Sequence, residues 1–277
     1  MFESERVVIT GGSSGLGKLL AERLLADGAR VALVARDPDK LARTRDELLA
    51  VDAARADRIV IEACDVTHAE AVTAAFARIA AELGPPSWLI NSAGVLKEGR
   101  FEDVPLDAFR NLVEINLFGT VHCIKAVLPY MQRAGQGRIV NVGSMASLLG
   151  VYGYSAYCTS KHALAGLSSS LRAELKAQNI KVHLVCPPEF DSPMVDELNT
   201  YRSAENRAVV QTIPTMRAQD VADAVFSGVR KGQYEIIPGA PARIVRLSDR
   251  LFPGLSRWAS DRSLARMLGR RPSSATG

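Results

Sequence analysis

"TGGSSGLGKLLAERLLADG", Thr10 to Gly28, decides how the rest of the chain is read. It follows a short β-branched run, "RVVIT" from Arg6, and passes through Gly11, Gly15 and Gly17 into residues with helical apolar spacing. Glycine turns sharply without a Cβ penalty, and a bare backbone lets the N–H groups and positive end of a helix approach a phosphate. Strand, glycine turn and helix, in that order, form the context a dinucleotide pyrophosphate needs. Ser13 and Ser14, within the turn, add hydroxyl donors for the same phosphates.

Working outward, the alternation recurs. "RVALVA" from Arg30, "RIVIEA" from Arg58, "SWLINSA" from Ser87, "GRIVNVG" from Gly137, "IKVHLVC" from Ile180 and "YEIIP" from Tyr234 are separated by segments of helical periodicity. Seven runs so spaced predict an α/β fold of the Rossmann type: a doubly wound, seven-stranded parallel sheet with helices on both faces. The apolar continuity of the early runs fits strands covered on both sides. No Gly/Ser/Pro linker interrupts the middle, so residues 1–240 read as one domain, including a lid over 187–216. Residues 241–277 read as a C-terminal amphipathic appendage whose end, "RRPSSATG", is expected to be disordered.

With 277 residues, 47% of them hydrophobic, the chain buries a substantial core. No secretory leader pattern opens it and no apolar run of about 18 residues stands out, which predicts a cytoplasmic protein. Cys64, Cys123, Cys158 and Cys186 lack C-x-x-C spacing, so neither disulfides nor a metal site is expected. Residues 241–277 carry eight Arg against two Asp, a net +6 that leaves −2 for the rest of a chain totalling +4. Basic charge confined to a tail, without a groove-reading motif, argues against nucleic acid.

The spacing T-G-x-x-x-G-x-G resembles that of the short-chain dehydrogenase/reductase family, and further stretches are similar in order and spacing. "NSAG", with Asn91, Ala93 and Gly94, stands where the family has N-N-A-G, Ser92 being the departure. Asn116 in "INLFGT", Ser144 in "VGSMAS" and Tyr157 and Lys161 in "YCTSK" complete the match. The resemblance implies an oxidoreductase interconverting a ketone and a secondary alcohol. A reduced carbonyl must be protonated, and a phenol titrating near 10 needs a neighbouring cation to favour its phenolate. Tyr157 and Lys161, four residues apart, share a helix face. By the same resemblance Ser144 would orient the carbonyl, Lys161 would also hold the nicotinamide ribose, and Asn116 would hold a water leading from Lys161 to solvent. Asp65 and Val66 match the family positions beside the adenine. Where NAD-dependent members carry an acid this chain has Ala35 followed by Arg36, which favours NADP(H) over NAD(H) as cofactor.

Met145, Leu148, Leu149, Val151 and Tyr152 follow Ser144, and Phe190, Met194, Val195 and Leu198 follow the sixth strand. Both stretches are apolar and free of Arg and Lys, which suits a small hydrophobic ketone or alcohol, although the same side chains also serve to pack a lid on the core. In "VCPPEFDSPM" Pro187, Phe190 and Ser192 align with the family segment at the nicotinamide end, and Pro188 replaces its glycine and stiffens the loop. Ser192 and Pro193 read as N-cap and first residue of the lid helix. The doubled proline and its flanking sequence resemble the 3-ketodihydrosphingosine reductase branch. That resemblance implies a long-chain sphingoid-base ketone, with Glu189 or Asp191 as partners for its ammonium. A steroid-like or other hydrophobic ketone is the alternative within enzymes; a dinucleotide-sensing regulatory protein without turnover is the alternative outside them.

Ile244, Leu247, Leu251, Leu255 and Trp258 recur at helical spacing among arginines. This basic amphipathic tail suits peripheral contact with an anionic membrane, and equally suits packing over the substrate mouth or against another subunit. The family resemblance implies a homodimer or homotetramer joined through the helices before and around Tyr157.

Overall fold

The structure, a computed structural model, describes residues 4–268. Seven strands, β1 (Arg6–Thr10), β2 (Arg30–Ala35), β3 (Ile59–Ala63), β4 (Trp88–Asn91), β5 (Gly137–Val142), β6 (Ile180–Val185) and β7 (Glu235–Ile236), form one sheet in the order β3-β2-β1-β4-β5-β6-β7. Every neighbouring pair is parallel, as the runs predict.

The crossovers are α1 (Gly15–Ala26), α2 (Pro38–Val51), α3 (Ala69–Leu83), α4 (Leu106–Val113), α5 (Gly119–Ala134), α6 (Ser155–Glu174), α7 (Pro193–Asn199), α8 (Ala204–Val210) and α9 (Ala218–Arg230). Side chains alternate across a strand, so each strand feeds two cores. Val7 and Ile9 of β1 pack with Leu20 and Leu24 of α1 and Val225 of α9; Val8, between them, packs with Phe76 and Ile79 of α3 and Val127 of α5. Leu24 and Leu33 are fully buried, and truncating either to alanine costs about 2–5 kcal/mol. The chain order reverses beside β1, between β2 and β4, and a doubly wound sheet opens its ligand crevice at the carboxyl ends of strands at such a switch point.

One expectation is corrected. The helical stretch Leu106–Ala134, which runs through α4, a π-helical turn (Glu114–Phe118) and α5, is long and apolar enough to cross a membrane. Half of its most apolar window is buried inside the protein, and α5 packs against α3, so it serves here as a core helix.

The tail is docked. Ala242 of α10 (Ala240–Leu251) is fully buried, and Arg246 pairs with Glu235 of β7 at 3.2 Å; α11 (Pro253–Leu268) packs against α8. "RRPSSATG" lies outside the described residues.

Candidate active site

The glycine loop departs from β1 with Gly11 at φ +67° and Gly15 at φ +51°, left-handed conformations that favour glycine. A Cβ on Gly11 would lie 2.8 Å from the Ser92 carbonyl oxygen, and one on Gly17 would strike the Gly11 carbonyl, whereas one on Gly15 would meet nothing within 4 Å. Gly11 and Gly17 thus draw loop, β4 end and α1 together, and Gly15 leaves an open approach to the helix. Ser14, the N-cap of α1, makes no side-chain cap bond, so the first N–H groups of α1 stay available to an anion. Ser13 is half-buried and its carbonyl accepts from Thr44 Oγ1 at 3.0 Å.

At the adenosine end Arg36 is exposed just past β2. Burial works to raise the Asp65 carboxyl, but bonds from the Thr67 amide (2.9 Å) and hydroxyl (2.8 Å), with the Arg36 charge nearby, hold it below its usual value. Val66 is buried, and its carbonyl meets His122 Nδ1 at 2.9 Å. These residues fit a dinucleotide laid from Arg36 across the glycine loop to the ends of β4 and β5.

Asn91 is placed differently from Ala93 and Gly94. Its amide donates to Asn141 Oδ1 at 2.9 Å, and Asn141 donates to Ser168 Oγ at 2.9 Å, so its side chain ties β4 to β5 and α6 and does not line the cleft. Ser92, Ala93 and Gly94 do line it. A Cβ on Gly94 would stand 3.1 Å from Asn116 Oδ1 and 3.7 Å from Lys161 Nζ.

Asn116 sits in the π-helical turn, an irregularity often found at functional sites. Its Oδ1 accepts from the Val95 amide at 2.8 Å; its Nδ2 donates to the Val95 carbonyl and to Ser160 Oγ, each at 3.0 Å. Both ends of the amide therefore fix neighbouring chain, while Oδ1 keeps one further acceptor site. Ser160 in turn donates to the Tyr157 carbonyl at 2.8 Å.

Tyr157 and Lys161 face inward from α6, with Lys161 Nζ 5.7 Å from the Tyr157 ring centre and donating to the Val142 carbonyl at 2.9 Å. Ser144 ends the turn after β5, caps the Ala146 amide at 3.1 Å and stands near enough to the Tyr157 phenol to favour its ionised form. The cation was expected to favour the phenolate; burial prevails. It pushes Tyr157 up to about 12 against the pull of Ser144, and brings Lys161 down to about 8, with Cys186 opposing.

A cleft of about 680 Å³ runs from Gly11 and Gly15 past Ser144 and Tyr157 to an apolar end. Met145, Leu148, Leu149, Val151, Pro187, Pro188, Phe190, Ser192, Met194, Val195 and Leu198 all line it. Ser192 caps the Val195 amide at 3.4 Å and Pro193 opens α7, as the sequence predicts. Tyr152 is a correction: it borders a separate hollow beside Phe101, and Tyr154 takes its place in the cleft, edge-on to Tyr157 with ring centres 5.5 Å apart. Asp191 is corrected as well: it does not line the cleft and accepts from the Ala218 amide at the start of α9. Glu189 does line it, with its carboxylate paired to the buried Arg202 at 2.8 Å.

Several site residues escaped sequence reading. Thr10 Oγ1 accepts from the Ser92 and Ala93 amides, each at 3.2 Å, and so joins the glycine loop to the end of β4. From the tail, Val245, Asp249, Arg257 and Asp261 reach the cleft, giving its mouth the charges that the two apolar walls lack. Thr10, the first residue of T-G-x-x-x-G-x-G, was a visible signal for the first; for the tail, packing over the substrate mouth was one of three readings, without any of these residues named.

The sequence pattern of the short chain dehydrogenases matches residues 5–203. The chain is 35% identical over 233 residues to the 3-dehydrosphinganine reductase of Danio rerio, spanning 82% of this chain and 69% of that protein. It is 38% identical over 192 residues to a 2-dehydro-3-deoxy-L-rhamnonate dehydrogenase (NAD(+)) of Sphingomonas sp., spanning 69% and 74%. Among solved structures, an actinorhodin polyketide ketoreductase variant with NADPH superposes at a TM-score of 0.76 and 28% identity, over 84% of this chain and 95% of that one.

Proposed function

The chain belongs to the short chain dehydrogenase family and is an oxidoreductase, and on that premise we propose that it uses NADPH to reduce a long-chain β-keto amine of the 3-ketodihydrosphingosine type. One observation carries the reading: a single cleft joins Ser144 and Tyr157 to an apolar end walled by Leu149, Met194 and Leu198. A chain of methylenes lying there leaves water at about 0.8 kcal/mol each. Arg36, with no acid at Ala35, supports the 2′-phosphate of NADP over the free ribose of NAD.

NADPH, when bound, would supply the hydride. Tyr157 hydrogen-bonds the substrate carbonyl oxygen together with Ser144, and its raised titration keeps the phenol protonated and able to give its proton as negative charge develops there. Lys161, charged below about pH 8, adds its positive field to the same oxygen. Asn116 and Ser160 hold the backbone at Val95 and Tyr157, which fixes both walls of the reacting centre.

NADPH and NADH oxidation should be followed with the purified protein against long-chain β-keto amines, β-keto esters and steroid ketones. Fastest turnover of the β-keto amine with NADPH supports the proposal. A preference for NADH, for which the Sphingomonas relative is the precedent, or for a steroid would refute the finer assignment while leaving the family intact.

Ile244, Leu247, Leu251, Phe252, Leu255 and Trp258 are 56–64% exposed on α10 and α11, with Arg243, Arg250 and Arg257 among them. We read this surface as a peripheral contact with anionic lipid, beside the mouth through which an apolar substrate enters. Flotation with phosphatidylserine vesicles tests it, and absence of binding at low salt rejects it. We also propose a homo-oligomer built on α5 and α6, which light scattering reads directly.

A further inference from the structure

The connection between α7 and α8 carries a group of polar side chains that neither the glycine loop nor the catalytic set uses. Arg202 is 8% exposed; its Nη1 is ion-paired with Glu189 Oε2 at 2.8 Å and donates to Asn199 Oδ1 at 3.4 Å, and its Nε donates to Asn206 Oδ1 at 2.7 Å. Asn206, fully buried, donates from Nδ2 to the Tyr152 carbonyl at 2.7 Å. Ser203 donates from its hydroxyl to Glu98 Oε1 at 2.6 Å.

These bonds run to three different loops. Glu98 belongs to the loop after β4, Tyr152 to the loop after β5 and Glu189 to the loop after β6, and those loops form the cleft. The Tyr152 contact lies two residues from Tyr154, whose ring packs edge-on against Tyr157. The lid's far end is tied down too: the Met216 amide donates to the Glu189 carbonyl at 2.9 Å, and the Asp191 amide to the Met216 carbonyl at 3.1 Å.

A guanidinium is costly to bury unless its charge and donors are met, and Arg202 Nη2 has no partner among the described residues. Glu189 therefore carries the compensation of that charge almost alone. A lid swinging free on such a group would leave Glu189 and Arg202 to find water separately, so the pair favours the docked position. Hydrophobic contact by Leu198 alone would hold the lid without fixing its register over Tyr154.

We infer that Arg202 is a positioning residue: through Glu189 and Asn206 it latches the lid to the loop carrying Tyr154, so that the apolar wall of Met194, Val195 and Leu198 is assembled before substrate enters. The kinetic arm of this inference rests on the reductase reading; the latch itself does not. Ser203, bonded to Glu98, is the second point of attachment.

The test uses Arg202→Met and Ser203→Ala in the full chain. Ser203→Ala leaves the Arg202–Glu189 pair in place and removes the hydroxyl that donates to the buried Glu98 and accepts from the Asn206 amide at 3.2 Å, so it decides the question if Arg202→Met does not fold. Chymotrypsin cleavage at the exposed Tyr201 is expected to accelerate about tenfold in both, and the ratio of KM for a long-chain ketone to KM for a short one is expected to rise about tenfold. Cleavage and KM ratio at wild-type values in a folded variant overturn the inference, as does an equal loss of kcat on both ketones with KM unmoved. If the wild-type protein reduces no ketone, the reductase reading fails, and cleavage at Tyr201 still decides the latch.

Discussion

Lys161 holds its ammonium 5.7 Å from the centre of the Tyr157 ring, with both side chains inside the protein. The ammonium is held there at a cost. Burial brings it from 10.5 to about 8, so between those values the unfolded chain binds the proton and the folded one does not. Stability from this group therefore rises with pH across that window and is lowest at and below neutrality. Moving the titration that far corresponds to about 3 kcal/mol, and replacing the lysine would also lose its bond to Val142, worth about 1 kcal/mol. Lys161→Met is expected to abolish turnover yet gain about 2 kcal/mol at pH 7. Chemical denaturation at pH 7 measures this, and a less stable variant would contradict it.

The same pair sets the pH profile of reduction. Tyr157 stays protonated up to about 12, so the first group to change state on the alkaline side is Lys161, near 8. The rate should be level up to about pH 8 and then fall; a fall centred near 10, the ordinary phenol value, would show that burial does not dominate. Tyr157→Phe is expected to lower kcat about a thousandfold, with NADPH affinity kept, as measured by fluorescence titration.

Much of this was legible beforehand, for identifiable reasons. The strands were readable because each has its own apolar run, and the catalytic set because Tyr157 and Lys161 lie four apart on one helix. Tyr152 was misplaced because the choice between it and Tyr154 depends on Gly153, which turns the loop at φ +76° where a Cβ would strike Glu98. Glu189 and Asp191 looked free because their partners, Arg202 and the Ala218 amide, are brought to them only by the return of the lid. An amphipathic tail announces that one face is apolar; it does not choose between a membrane, another subunit and the substrate mouth beside which Val245 and Asp249 lie.

The glycines of the first loop are not equivalent. Gly17→Ala puts a methyl into the Gly11 carbonyl, where backbone must move, so loss of both dinucleotide binding and several °C of Tm is expected. Gly15→Ala meets no atom and carries only the left-handed strain, about 1 kcal/mol, so the fold should survive with weakened NADPH binding. Thermal melts with and without NADPH distinguish the two, and equal losses would contradict this account.

Asp191→Asn tests the corrected role of that acid. The carboxylate accepts the Ala218 amide at the start of α9, where its charge also meets the helix dipole. The expected effect is about 1 kcal/mol of lost stability, with no change in the ratio of KM for an amino ketone to KM for its amine-free analogue. A selective rise in KM for the amine would return Asp191 to the substrate.

Arg36 decides the last prediction. It is exposed at the end of β2, near Asp65 and next to Ala35, where an acid would face both ribose hydroxyls of NAD. A charge-assisted bond to the 2′-phosphate is worth about 1.5–3 kcal/mol, or roughly ten- to a hundredfold in affinity. Arg36→Ala should therefore lose most of that preference through KM for NADPH, leaving KM for NADH nearly unmoved. Adding Ala35→Asp should carry the ratio past unity, because the new carboxylate repels the phosphate and accepts from the ribose. Steady-state kinetics with both cofactors gives the ratio, and a double variant still favouring NADPH would mean that the 2′-phosphate is held by other cations of α2, such as Lys40 or Arg43.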